Sequence, residues 1–336
     1  MKKITTILSL CFLSLIGFCQ SETHNFVTYD TTISIPIPGN PFGAPDVWIV
    51  RISRPVNGDT ASRPAIITMP GQGQLGNTNT GNLIAFGPHY WLANGWDGSV
   101  VLGNGIHYPI LITNVYTNNQ FPAAWQYYEI LSIELNSFHI KRSSVHLGGL
   151  SQGAFTEGDL INYQPPTGMS IVTSMVVLEG TPSTVDTADY KVWAAKYHGH
   201  YFSLEGNGSD NFRNTWMWAR AMNDSVPGSA YFSYEGIGGG GHGNWNQMYD
   251  PSATNWTSVG VLGPNNSPSQ AGTNTMGSYK GGSIFQWMLR QGDTTLVGGS
   301  PVPIPVPPIP VFRYPIREDR IIYYSDSSQM RCTTVF

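Results

Sequence analysis

Apolar and polar residues alternate in two runs near the start of the chain, Asn25 to Ile37 and Val47 to Ile52, with a Pro/Gly/Asn cluster between them. Alternation with a period of two predicts strands, and the turn cluster joins them as an antiparallel pair. From Pro64 to Met69 the pattern becomes a short continuous apolar run, which suits a strand covered on both faces in a parallel sheet. Runs of the same kind recur at Ser99 to Leu102, Ser144 to Leu147, Ile171 to Leu178, Tyr201 to Leu204 and Ala230 to Tyr234. Helix-compatible segments lie among and after them: Ala123 to Leu135, Ala154 to Tyr163, Thr187 to Lys196, Phe212 to Met222 and Ser283 to Gln291. Strands alternating with helices predict an α/β fold built of β-α-β units, with a mostly parallel central sheet and helices on both faces.

The two ends of the chain have a different character. Met1-Lys2-Lys3 is a basic start, Ile4 to Phe18 is apolar but short for a membrane span, and Gly17 and Cys19 place small residues for cleavage before Gln20. Residues 1–19 are therefore expected to be a signal peptide, giving an exported protein, extracellular or periplasmic. Acylation at Cys19 is the second choice, because Phe18 is bulky for the residue preceding a lipidated cysteine. Cys332 is then the one cysteine of the mature chain, so an intramolecular disulfide or a cysteine metal site is not expected. Residues 20–297 form the expected catalytic domain. The proline-dense stretch around Pro301 to Pro310 makes 298–312 a stiff linker, and 313–336 a short β-like tail too small for its own core.

Charged residues make up only 11% of the 336 and the net charge is -4, which leaves no electrostatic footprint for nucleic acid or an anionic membrane. Chemistry must come from particular side chains.

Gly149-Leu150-Ser151-Gln152-Gly153 is a G-x-S-x-G motif between a strand-like and a helix-like run. By itself the pattern is weak in a chain with 38 Gly. Its setting gives it weight: a sharp strand-to-helix turn there would raise the Ser151 hydroxyl clear of the sheet as a nucleophile. Upstream, Ile66-Ile67-Thr68-Met69 runs into Pro70-Gly71-Gln72-Gly73-Gln74, where glycines can turn backbone amides toward a developing oxyanion. The Gln72 amide and the Gln152 amide are the two expected donors. A general base belongs on a late loop, and His242 stands in Gly238-Gly239-Gly240-Gly241-His242-Gly243-Asn244-Trp245 after the last strand-like run. The acid is expected past Tyr201 to Leu204: Asp210 first, Glu205 as fallback, Asp224 third. Nucleophile, acid and base then follow in the order Ser151, Asp210, His242. Trp245, three residues past the base, is the aromatic expected to line a substrate pocket. Trp91, Trp96, Trp125, Tyr127, Tyr128 and Trp256 are each weighed toward packing. His198 and His200 have no evident third ligand, so no metal is expected, and His89, His107, His139 and His146 read as structural or surface residues.

Residues 24–292 resemble the secreted bacterial esterases related to polyhydroxybutyrate depolymerases and feruloyl or acetylxylan esterases, within the α/β-hydrolase superfamily. Four segments carry the resemblance: Arg63 to Gly73 as third strand and oxyanion loop, Ser144 to Ala154 with its G-L-S-Q-G elbow, His242-Gly243-Asn244-Trp245 as an H-x-x-W base loop, and Phe285 to Gln291 as closing helix. Pro70 stands where many members have His, and the acid loop lacks their trailing Val-Pro. The resemblance implies that Ser151, Asp210 and His242 form the triad of an esterase that needs no cofactor. Polymeric or small esters are both admissible substrates. A serine peptidase of the same fold, and a non-catalytic binding or adhesion protein on a hydrolase scaffold, remain the alternatives.

Overall fold

The computed structural model describes residues 21–23, 26–37, 45–55, 62–76, 78–118, 120–163, 168–180, 187–204, 215–233, 245–253 and 282–292. The expected signal segment, Asp210, His242, Trp256, the Pro-rich stretch and the expected tail lie outside them. In chain order the strands are β1 (Ser21–Thr23), β2 (Phe26–Ile35), β3 (Asp46–Pro55), β4 (Arg63–Met69), β5 (Val100–Leu102), β6 (Gly105–His107), β7 (Ile110–Tyr116), β8 (Ile140–Leu150), β9 (Ser174–Leu178), β10 (His200–Leu204) and β11 (Ala230–Ser233). The helices are α1 (Pro88–Ala93), α2 (Ala124–Ser137), α3 (Gln152–Asn162), α4 (Ala188–Tyr197), α5 (Thr215–Ser225), α6 (Trp245–Met248) and α7 (Ile284–Gly292).

Nine strands form one sheet in the order β1-β2-β3-β7-β4-β8-β9-β10-β11. β1, β2 and β3 pair antiparallel, β3 joins β7 antiparallel, and from β7 to β11 every pairing is parallel. Pro64, which can give no amide to a ladder, sits where the β4–β8 register shifts between Arg63 and Ala65.

Successive residues of the parallel strands enter two different cores, as the period of two requires. Ile67, Ile112, Leu147, Met175 and Tyr201 join the cluster on one face with Tyr127 of α2, Leu160 of α3, Trp193 of α4 and Trp218 of α5. Ile66, Leu111, Leu150, Val176 and Phe202 join the other, with Leu92 of α1, Met248 of α6 and Trp287 of α7. Helices cover both faces, which explains the uninterrupted apolar runs in the strands.

One expected strand is corrected. Ser99 to Leu102 does not enter the main sheet: β5 pairs with β6 in a separate antiparallel hairpin, and Val101 is 56% exposed. The strand beside β4 is instead β7, whose seven residues are all buried and which was not among the expected strands. Both stretches are short and apolar, and periodicity does not distinguish a buried strand from a surface hairpin with an apolar face.

Two buried histidines act as rivets. The His89 ring meets the Thr113 hydroxyl at 2.7 Å and the Ser53 hydroxyl at 3.0 Å, tying α1 to β7 and β3. His146 sits between the hydroxyls of Ser144 and Ser174, both at 2.8 Å. Burial pulls the His146 imidazole down to about 3.

Candidate active site

Chain connections from β4 and β8 leave in opposite directions, β4 toward β7 and β8 toward β9. A crevice opens at the carboxyl ends of strands where the order reverses in this way. Both motifs singled out in the sequence fall there.

β8 ends at Leu150, and Ser151 makes the turn into α3 with φ 49° and ψ -115°. For a residue carrying a Cβ this is strained backbone, worth about 1–3 kcal/mol. Neighbouring contacts hold it: the Ser151 amide donates to the Leu178 carbonyl at 2.7 Å, and the Ser151 carbonyl accepts from the Phe155 amide at 3.2 Å. Glycines give the turn room. A Cβ on Gly149 would lie 2.5 Å from the Ala154 nitrogen, and one on Gly153 would lie 2.1 Å from the Met69 carbonyl oxygen. The strand-to-helix elbow read from the sequence is therefore present in the backbone.

Across the crevice, β4 runs out through Pro70 and Gly71 into a 3-10 turn over Gln72–Gln74. Gly71 faces Ser151, since a Cβ placed there would be 3.2 Å from the Ser151 Cβ. Gln72 opens the turn and Gln152 opens α3, so each amide belongs to the first-turn donors that have no partner within their own helix. Two such amides on the elements that meet at Ser151 suit a site where negative charge develops on a carbonyl oxygen.

Trp245 reaches the same place. Its Cη2 would be 3.5 Å from a Cβ on Gly71, and its indole meets the Phe86 ring edge-on at 4.8 Å. The Trp245 Nε1–H donates to the Glu179 carboxylate at 2.6 Å. The next residue, Asn246, accepts from the Trp91 indole through its carbonyl at 2.9 Å and donates to the Ala85 carbonyl at 3.2 Å.

The structure thus brings together Ser151, the turn carrying Gln72, Gln152 and Trp245. Asp210, His242 and the fallback Glu205 lie outside the described residues. Asp224 is on the exposed side of α5 in an i,i+4 pair with Arg220 at 3.7 Å. Of the six other aromatics weighed in the sequence, Tyr127 and Tyr128 are buried while Trp91, Trp96 and Trp125 are half-buried. Among the described residues no three His, Cys, Asp or Glu side chains assemble as a metal set.

Sequence reasoning missed Glu179. It is 7% exposed, follows β9 directly and holds φ 49°, the same value as Ser151. The available signal was a lone acid directly after the apolar Met175 to Leu178 run, at the end of the sheet where such crevices open. Glu157 was also missed: it lies within α3 and accepts the Tyr127 hydroxyl at 3.0 Å. Burial pushes its carboxyl well above the usual range.

No family model and no curated protein matches the chain. Among solved structures it is similar to a thermostable esterase at 14% identity, with a TM-score of 0.47 over 68% of this chain and 60% of that one. It is similar at 12% identity to a ferulic acid esterase, with a TM-score of 0.43 over 66% of this chain and 94% of the other. An esterase from Pyrobaculum calidifontis shares 16% identity, with a TM-score of 0.43 over 66% and 79%. The chain spans less than two thirds of the length of the first of these. Three antiparallel-paired strands leading into a parallel sheet, one reversal of strand order, and a G-x-S-x-G elbow at that reversal define this as the α/β-hydrolase fold.

Proposed function

We propose that this protein is an exported serine hydrolase that cleaves carboxylic esters through an acyl-enzyme. Ser151 attacks the ester carbonyl, and His242 takes its proton and returns it to the leaving alcohol. Asp210 holds the imidazole in the productive tautomer. The Gln72 and Gln152 amides stabilise the oxyanion, and His242 then activates the water that releases the acid. The observation that carries the reading is the strained backbone of Ser151 directly opposite Gly71. Backbone strain of about 1–3 kcal/mol in a side-chain-bearing residue clusters at functional sites, where surrounding contacts maintain it. Ester rather than peptide chemistry rests on the resemblance of the elbow, base loop and closing helix to the esterase group. Export rests on the N-terminal segment. Choice among acetylated or feruloylated glycans, polyesters and small esters belongs to the same resemblance.

The test is hydrolysis of a panel of p-nitrophenyl esters, feruloylated and acetylated glycans, polyesters and peptide amides by wild type, Ser151→Ala, Asp210→Asn and Glu205→Gln. Ser151→Ala should lose at least about 1,000-fold in kcat, since triad members contribute far more than that together. A loss below about tenfold refutes serine catalysis. Asp210→Asn should fall by orders of magnitude with Glu205→Gln near wild type, and the reverse result transfers the acid to Glu205.

A further inference from the structure

The geometry points to Glu179 as a positioning residue: its carboxylate holds the Trp245 indole against the oxyanion turn, and so sets where the His242 loop rejoins the fold. This rests on the serine-hydrolase reading above.

The backbone of Glu179 is tied to the nucleophile from several sides. The preceding residue, Leu178, accepts the Ser151 amide at 2.7 Å, and the Glu179 amide donates to the Leu204 carbonyl at 3.0 Å. The following residue, Gly180, lies so close that a Cβ there would be 2.4 Å from the Ser151 carbonyl oxygen. The carboxylate therefore has little freedom relative to Ser151. Its positive φ is the strain expected where surrounding contacts fix a residue in a set place.

From that fixed point Glu179 takes the Trp245 Nε1–H at 2.6 Å. One hydrogen bond does not orient a ring, but Phe86 closes on it edge-to-face at 84° and Gly71 leaves space for its far corner. Indole, carboxylate and elbow become one unit. Trp245 is the first residue of α6 and stands three residues past His242, so the end of the base loop is referenced to the same strand end as the nucleophile. Tyr249, just past the other end of α6, reaches β8, because a Cβ on Gly148 would fall 2.4 Å from its hydroxyl oxygen. The Glu179 bond fixes the N-terminal end of α6.

Hydrolysis of p-nitrophenyl acetate and phosphonylation by a fluorophosphonate probe should be measured for wild type, Glu179→Leu, Glu179→Gln, Trp245→Phe, the Glu179→Leu/Trp245→Phe double variant and Ser151→Ala. Melting temperatures accompany them. Glu179→Leu should lower kcat about thirty- to a hundredfold with KM changed much less, because a displacement of about 1 Å at the reacting groups costs that much. Glu179→Gln keeps an acceptor for the indole and should return to within about fivefold of wild type. Trp245→Phe keeps the ring but not the donor and should match Glu179→Leu, and the double variant should be little worse than either, as coupled residues behave. The proposal is overturned if Glu179→Leu labels and turns over like wild type while Ser151→Ala is dead. It is also overturned if Glu179→Gln is as crippled as Glu179→Leu, which would assign the charge itself to catalysis. Wild type that neither labels nor turns over defeats the hydrolase reading instead. In that case additive melting shifts across the four-variant cycle refute the docking, and non-additive shifts uphold it.

Discussion

Ser151 and Glu179 occupy equivalent positions at the ends of neighbouring parallel strands, and both hold φ 49°. The link is direct: the Ser151 amide donates to the carbonyl of Leu178, whose peptide bond leads into Glu179. Two side-chain-bearing residues in left-handed backbone, one hydrogen bond apart, store strain that only a well-packed crevice can hold.

Ser151→Gly should therefore be more stable than Ser151→Ala by about 1 kcal/mol, because glycine adopts the turn without the Cβ penalty. Both variants should lack turnover. Chemical denaturation of the two proteins side by side checks this. Equal midpoints would mean that the elbow carries no strain at this position.

Gly153 of the elbow should differ sharply from Gly73 of the loop opposite. A methyl at Gly153 would collide with the Met69 carbonyl at 2.1 Å, backbone against backbone, whereas nothing lies within 4 Å of one at Gly73. Gly153→Ala should cost about 3 kcal/mol or more, the upper range for overpacking, and Gly73→Ala should stay within about 0.5 kcal/mol of wild type. Thermal melts decide it.

Most of the scaffold was legible because it rests on short-range pattern. Apolar runs bounded by turn residues marked β4, β8, β9, β10 and β11, and helical spacing marked α2 to α5 and α7. The elbow was legible because only glycine satisfies Gly149 and Gly153, leaving a spaced signature around Ser151. What stayed hidden depends on packing between distant segments. Whether Val100 to Leu102 or Ile110 to Tyr116 sits beside β4 is decided by which is covered on both faces, and both are apolar. Glu179 was invisible for a related reason: its partner Trp245 is 66 residues away, and a single acid after a strand has no pattern of its own.

Stability should respond to pH through two sets of buried groups acting in opposite directions. Burial lowers His146 from 6.5 to about 3, so the unfolded chain binds its proton first and stability is lost as pH falls from about 6.5 toward 3. Burial raises Glu134 from 4.5 to about 8, so the folded chain keeps its proton longer and stability is lost as pH rises from about 4.5 toward 8. His200, lowered to about 4, adds to the first slope, and Glu157, raised well above its usual range, adds to the second. Above pH 6.5 only the carboxyls of these four remain in play. Unfolding free energy measured from pH 6.5 to 8 should decline, and Glu134→Gln should reduce that decline by about 1.4 kcal/mol per pH unit. An unchanged slope in the variant would show that Glu134 is ionised in the folded protein.

The last prediction concerns the far end of the chain. The prolines among residues 301–310 have no amide to give, and such a sequence is ill suited to the interior of a sheet. The described fold closes before it: Ile284, Phe285, Trp287, Met288 and Leu289 of α7 are buried against the β8–β9 face. At the end of that helix, a Cβ on Gly292 would lie 2.2 Å from the Ser144 hydroxyl oxygen. A chain ending at Gly298 retains every one of these contacts. It should melt within a few degrees of the full chain and keep its turnover of small soluble esters. If residues 299–336 serve attachment or docking on a polymer, their removal should be felt only on insoluble substrate or in cell fractionation. Aggregation of the shortened protein, or a melting temperature lowered by about 5 °C or more, would make residues 313–336 part of the hydrolase core, since that shift corresponds to more than 1 kcal/mol in a domain of this size.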